Sequence, residues 1–278
     1  MRVLVTGGSG LAGRRIVERL SSAHDVANLD VSPPVEGPSR HVPVDILDRD
    51  ALAPAMRGVE AVVHAAAIPG PTRGTADDIY LTNIEGTRRV AAAAFEEGVR
   101  RFVNISSESV LGFASGAHRA TPMYFPIDED HTLQPSDPYG RSKLAAEEAL
   151  ADIRPPDAVA VSLRPPWIWV PEEYAQCRRL THDPASWAGG LWAYIHGDDL
   201  ARAVECALGA DLSPGHHPVY VTAYDNGTIF RTRELLQRYY SQVVVRPGIP
   251  EFGGLISGAR AAALLGFTPD LTWRRFLS

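Results

Sequence analysis

Two cysteines, Cys177 and Cys206, are all that the 278 residues contain. They are far apart and outside any CxxC or metal-type spacing, so each reads as a buried or idle thiol rather than part of a disulfide framework. Long hydrophobic runs are missing as well. No stretch of about 18 uninterrupted apolar residues exists, and the amino terminus opens on a strand pattern instead of a signal peptide. A cytoplasmic protein with no membrane partner is the expectation. Basic runs and aromatic-basic interleaving are absent and the formal net charge is −6, so no nucleic acid partner is expected. The nine histidines are scattered; His216 and His217 lie in Ser213-Pro214-Gly215-His216-His217-Pro218, which reads as an exposed loop. No metal site is expected. What is present is 45% apolar residues, enough for a substantial core.

The first 13 residues carry the strongest signal. Arg2-Val3-Leu4-Val5-Thr6 reads as a buried strand running into Gly7-Gly8-Ser9-Gly10-Leu11-Ala12-Gly13, with a helix opening near Leu11. That sequence places backbone N–H groups and a positive helix end against a pyrophosphate. One glycine permits the tight turn, one lets a cofactor touch the backbone, and Gly13 lets the helix pack closely on the strand. A second strand, Asp25–Leu29, ends in Asp30, where a dinucleotide fold puts the acid that grips the adenosine ribose. A 2′-phosphate there would meet a carboxylate at a cost of about 4 kcal/mol per charge pair at about 4 Å and an effective dielectric near 20. NAD is therefore expected over NADP, with Arg14 and Arg15 as the nearby cations that could favour a phosphate.

Further along, strands and helices alternate as a parallel sheet requires. A third strand is predicted over 41–44, a helix over Arg49–Met56, and a fourth strand over 59–64 that runs into Ala65-Ala66-Ala67. Those small residues either leave room for the cofactor or pack tightly. A long helix over 76–97 carries Asn83, a residue costly inside a helix unless it faces solvent or has a task. The fifth strand, Arg101–Ile105, delivers Ser106 and Ser107 to the same edge. Tyr139 and Lys143 then open a helix running to about 152, and their i, i+4 spacing sets phenol and ammonium on one face. A neighbouring ammonium, joined by an oxidised nicotinamide, is expected to favour the phenolate; a shift of about three units needs on the order of 4 kcal/mol. Ser107 would hydrogen-bond the substrate oxygen.

With these residues in place, the chain resembles an extended short-chain dehydrogenase/reductase of the NAD-dependent epimerase/dehydratase group, and uronate-type dehydrogenases and sugar-nucleotide epimerases are nearest in size. The resemblance rests on Thr6 to Gly13, Asp30, Asp45-Ile46, His64 to Ala67, Asn83, Ser106-Ser107, Tyr139 with Lys143, and Leu163-Arg164-Pro165. Tyr194 to Ala201 and Leu264 to Pro269 extend it, so the chain is expected to be complete. The resemblance implies an α/β fold, a Rossmann-type doubly wound parallel sheet over 1–165 with a small substrate-binding region over 166–278 that partly returns to the sheet. It implies that Gly7, Ser9, Gly10, Leu11, Ala12 and Gly13 hold the pyrophosphate and Asp30 the ribose. It further places Asp45 and Ile46 beside adenine and Ala65, Ala66 and Ala67 along the adenosine path. Asn83 joins the cofactor set, Lys143 binds the nicotinamide ribose, and Pro165 and Pro166 border the nicotinamide. A homodimer through helices near 76–97 and 137–152 is implied too.

Substrate contacts are sought in Ile68, which opens a Pro/Gly-rich loop, in Glu108, and in Trp167. Arg178 and Arg179 read either as a clamp for a carboxylate or phosphate or as a solvated pair. The tryptophans at 167, 169, 187 and 192 suit sugar rings or a core equally. The connection from 111 to 137, with Tyr124, Phe125 and His131, is long enough for a substrate-side loop, although its aromatics could be packing anchors. The expected activity is hydride transfer between NAD and a carbinol or carbonyl carbon of a sugar-type substrate, with Ser107, Tyr139 and Lys143 as the catalytic set. A sugar-nucleotide 4-epimerase with retained NAD is the alternative, and a non-catalytic NAD-binding sensor or scaffold a third reading.

Overall fold

The computed structural model describes residues 1–34, 37, 39–114 and 120–276. Seven parallel strands form the central sheet: β1 (Arg2–Thr6), β2 (Asp25–Leu29), β3 (Arg40–Val42), β4 (Ala61–His64), β5 (Arg101–Ile105), then Val159–Arg164 and Gly215–Tyr220. Between the last two and after them lie three short strands, so with Tyr124–Phe125 as β6 the sheet pair is β7 and β10, and Trp167–Trp169, Tyr194–His196 and Val244–Val245 are β8, β9 and β11. The sheet order is β10-β7-β5-β4-β1-β2-β3. Chain order reverses between β1 and β4, the point at which an open α/β sheet gapes at its carboxyl edge.

Strand alternation decides which helix covers which face. Val3 and Val5 face α1 (Leu11–Leu20) together with Val63, Val103, Val161 and Val219, and α7 (Gly197–Gly209) packs in the same layer through Leu200, Val204 and Ala207. Leu4, Val62, Phe102 and Ala160 face the other way, against α2 (Arg49–Met56), α4 (Gly86–Glu96) and α5 (Pro138–Ile153). A second core fills the carboxyl-terminal part, where Trp169, Trp187, Trp192, Tyr194 and Trp273 are buried with Phe125 and Leu255. Trp169 stacks on Tyr194 at 4.5 Å between ring centroids, and the indole N–H groups of Trp187 and Trp192 donate to the carbonyls of Leu180 and Pro184. Three of the four tryptophans weighed as sugar platforms are therefore core; Trp167 alone is partly exposed.

Several elements differ from expectation. The third strand stops at Val42, because Val44 turns back to donate to the Val42 carbonyl, and β4 starts at Ala61, because Val59 still closes α2 by donating to Met56. The long helix is three pieces: α3 (Ala76–Tyr80), a π turn over Leu81–Glu85, and α4. Asn83 sits in that wide turn and is 1% exposed, so the surface reading is overturned. His216 and His217 are not an exposed loop. They belong to β10, half-buried, and the His216 ring bonds the Ser162 hydroxyl of β7 at 2.8 Å. Proline misleads here: Pro218 is tolerated in β10 because that strand pairs only with β7, and an edge strand can lack one donor. The aromatics after 111 are packing anchors, with Phe125 fully buried in β6, His131 buried, and Tyr124 under the Arg246 guanidinium at 3.6 Å.

Candidate active site

The cradle begins where β1 meets α1. Gly7 has φ +69°, a left-handed conformation that glycine adopts freely, and a Cβ there would lie 2.5 Å from the Ala66 nitrogen. Ala65 and Ala66 thus do pack tightly, against the turn itself. A Cβ on Gly13 would sit 2.0 Å from the Gly7 carbonyl oxygen, so Gly13 packs on the turn rather than on the strand behind it. The helix start at Gly10 has no side-chain cap and no acid in its first turn. Its free N–H groups and positive end are the requirement of a pyrophosphate, with Leu11 exposed and Ala12 half-buried beside them. Asp30 closes the far side: its carboxylate accepts from the backbone N–H of Ser9 and of Ser32, each at 3.0 Å. Arg14 and Arg15 share Glu172, at 2.8 and 3.2 Å, so both cations already have an acid partner. Asp45 is exposed and caps its own turn, whereas Ile46 is buried against Gly86 of α4.

Beyond the cradle a buried chain of hydrogen bonds ties β1 to α4. The Thr6 hydroxyl bonds His64 at 2.7 Å, the other His64 nitrogen bonds the Thr87 hydroxyl at 2.9 Å, and Thr87 donates to the Asn83 carbonyl. Burial first, and the Lys143 charge second, push His64 down to about 3, so its ring is neutral. The Asn83 side chain accepts from the Ile68 N–H at 2.8 Å and donates to the Ile68 carbonyl and the Ser142 hydroxyl. It thereby fixes the start of the 68–73 loop to the helix that carries Tyr139.

The carboxyl edge of the sheet brings Ser107, Tyr139 and Lys143 together. Ser107 caps the short turn Glu108–Leu111 by accepting from the Ser109 N–H, and its hydroxyl donates to the Ser109 hydroxyl at 3.1 Å. Asp137 caps α5 by accepting from Gly140, which sets Tyr139 at the start of that helix. Lys143 is 7% exposed, donates to the Ile105 carbonyl at 2.9 Å and stands 5.8 Å from the Tyr139 ring centroid. Pro165 and Pro166 are buried at the end of β7. The protein groups alone do not lower the phenol. Burial pushes the Tyr139 phenol up to about 12; Ser107 pulls it down, and the Glu108 and Asp137 carboxyls push it further up. Lys143 is itself lowered to about 8 by burial, against the pull of Glu147, and its ammonium is turned to the backbone instead of the phenol. The chain's own groups therefore keep Tyr139 protonated.

Two residues escaped the sequence reading. Glu147 lies two helical turns beyond Tyr139, in a Tyr139-Lys143-Glu147 stripe at i, i+4, i+8 that could have revealed it. It accepts from the Ser106 hydroxyl and takes two hydrogen bonds from Arg164, at 3.0 and 2.7 Å, with both side chains under 5% exposed. This pair joins the ends of β5 and β7 to α5 one helical turn from Lys143. Arg178 and Arg179 lie exposed on α6 (Tyr174–His182), which suits the solvated reading. No metal-binding cluster occurs among the described residues, and none of their helices is long and apolar enough to cross a membrane.

Residues 3–221 match the model of the NAD dependent epimerase/dehydratase family. The chain belongs to that family. It is 35% identical over 282 residues to the NAD-dependent glucose-6-phosphate dehydrogenase of Haloferax volcanii, covering 96% of this chain and 92% of that one. It is 28% identical over 235 residues to the uronate dehydrogenase of Pseudomonas putida, covering 82% and 78%. A short-chain dehydrogenase/reductase from Agrobacterium tumefaciens, solved with bound NAD, superposes with a TM-score of 0.75 at 25% identity, covering 100% and 95%. The protein is thus an NAD-dependent enzyme of the extended short-chain type, and the uncapped α1, the glycine cradle and Asp30 are the features of this chain that suit NAD.

Proposed function

We propose that the enzyme is a sugar dehydrogenase that oxidises a carbinol carbon. The observation that carries this reading is Lys143 buried 5.8 Å from the Tyr139 ring centroid and held by the Ile105 carbonyl at the carboxyl edge of the sheet, where β5 also delivers Ser107. NAD, when bound, supplies the hydride acceptor and, in its oxidised form, a positive charge. That charge is what lowers a phenol which the protein alone holds at about 12. Tyr139 takes the hydroxyl proton as the carbinol carbon gives up hydride. Ser107 donates to the substrate oxygen and keeps it in line. Lys143, fixed by Ile105, holds the nicotinamide ribose and returns the proton toward solvent. Gly7, Ser9, Gly10, Leu11, Ala12 and Gly13 bind the pyrophosphate, Asp30 the ribose, Asp45 and Ile46 the adenine side, and Pro165 and Pro166 the nicotinamide side. Asn83 acts through Ile68 and Ser142 by holding the loop against α5. Glu108, Ile68 and Trp167 are the substrate-side residues.

The test is purified enzyme with NAD and a panel of aldoses, uronates, sugar phosphates and nucleotide-sugars, monitored for reduced nicotinamide. Net accumulation is expected with one class of free sugar. Tyr139→Phe should retain NAD binding and lose about 10²- to 10⁴-fold in turnover. Isomerised product without accumulation would instead assign a 4-epimerase with retained NAD.

A further inference from the structure

Glu108 is the one acid at the centre of this molecule whose carboxyl has no hydrogen-bond donor among the described residues. The other buried acids are answered. Asp137 accepts from Gly140, Glu147 from Ser106 and Arg164, Asp199 from Arg202 and the N–H groups of Asp270 and Leu271, and Asp225 from Tyr194 and Thr272. Glu108 is fixed in place through its backbone. It is the first residue of the turn capped by Ser107, and its own N–H donates to the Pro165 carbonyl at 3.0 Å, which pins it between the ends of β5 and β7. The ionisable groups that interact with it electrostatically are the Asp137 carboxyl and the Tyr139 phenol of α5, neither of them a cation.

Glu108 is half-buried, so its carboxyl keeps contact with solvent and can exchange that water for a polar group of a ligand. Resting on the dehydrogenase reading above, we propose that Glu108 hydrogen-bonds a substrate hydroxyl on the carbon adjacent to the one that loses hydride. The substrate is then a vicinal diol at its reacting end, as in an aldose oxidised at C1 with its C2 hydroxyl free. Burial, then Asp137, raise the Glu108 carboxyl to about 8, so near neutrality it carries a proton much of the time and both donates and accepts, as a hydroxyl does. A carboxylate or phosphate on that neighbouring carbon would be disfavoured by the Asp137 carboxylate nearby and would lose the hydroxyl that Glu108 pairs with.

The experiment is a cycle between side chain and substrate. For wild type, Glu108→Gln and Glu108→Ala, kcat/KM is measured with D-glucose, L-arabinose and D-glucose 6-phosphate and with the 2-deoxy counterpart of each. Wild type should favour the parent sugar by about 10- to 100-fold, Glu108→Ala should bring the ratio close to one, and Glu108→Gln, which keeps an acceptor and a donor, should fall between. A ratio unchanged in Glu108→Ala overturns the proposal, as does a Glu108-dependent preference for a 2-amino sugar, which would make the partner a cation. If no sugar is turned over, the dehydrogenase reading fails separately. The Glu108 claim is then read by infrared titration of the NAD complex: the parent sugar, and not its 2-deoxy form, should shift a carboxyl titration that is absent from Glu108→Gln, and no such shift would sink it.

Discussion

Tyr139 and Lys143 illustrate how far the placement of a residue pair can be read from spacing. Tyr139 and Lys143 were legible because a helix fixes i and i+4 on one face, and Ser107 because it ends a strand at the edge where ligands lie. What spacing could not reveal was the direction of the ammonium, which the Ile105 carbonyl captures, or the two acids beside the phenol. Glu147 and Arg164 were hidden for the same reason: their partnership spans α5 and β7 and exists only after packing. A pH prediction belongs at this scale. His64 has a folded-state value of about 3, below its ordinary 6.5, so its neutral ring favours the fold fully above pH 6.5 and that contribution is lost as pH falls toward 3. The loss cannot exceed about 1.4 kcal/mol per pH unit from this one group. His216 and His196 are also pushed down by burial and act with the same sign. The His64 share is therefore the difference in pH slope between wild type and His64→Asn, measured by urea unfolding at pH 7, 6 and 5; parallel slopes would refute it.

Among the elements, the β1-turn-α1 unit was readable from its glycines, although Gly13 answers a demand of the turn and not of the strand behind it. The prediction here is specific. Gly13→Ala must displace the Gly7 carbonyl, since its Cβ would come within 2.0 Å, and the displaced turn is the one proposed above to bind the pyrophosphate. Overpacking of this kind costs about 1–3 kcal/mol. NAD affinity measured by calorimetry should fall by about 10-fold or more, while circular dichroism remains that of the folded protein; full NAD affinity would contradict the assigned role of this residue. The π turn at Leu81–Glu85 was not readable, because apolar periodicity cannot distinguish a wide turn from a regular one when both continue the same helix axis. Asn83 was its only clue, a polar residue whose task became visible once Ile68 and Ser142 were placed against it.

For the whole molecule, the parallel sheet followed from alternating elements, whereas the final strand did not. Gly215 to Pro218 looks like a turn by composition, and only the pairing with β7 makes it a strand. The same proline has a consequence for behaviour in solution. One border of the sheet is a strand of three residues, Arg40–Val42, and the other carries Pro218, so a foreign strand arriving on either side meets too short a ladder or a missing donor. Such borders discourage chains from stacking on one another. Pro218→Val should restore a continuous template and raise light scattering on storage at high concentration relative to wild type; equal scattering would mean that the borders are protected by something other than proline. The proline that disguises this strand as a turn also leaves it a poor host for another chain.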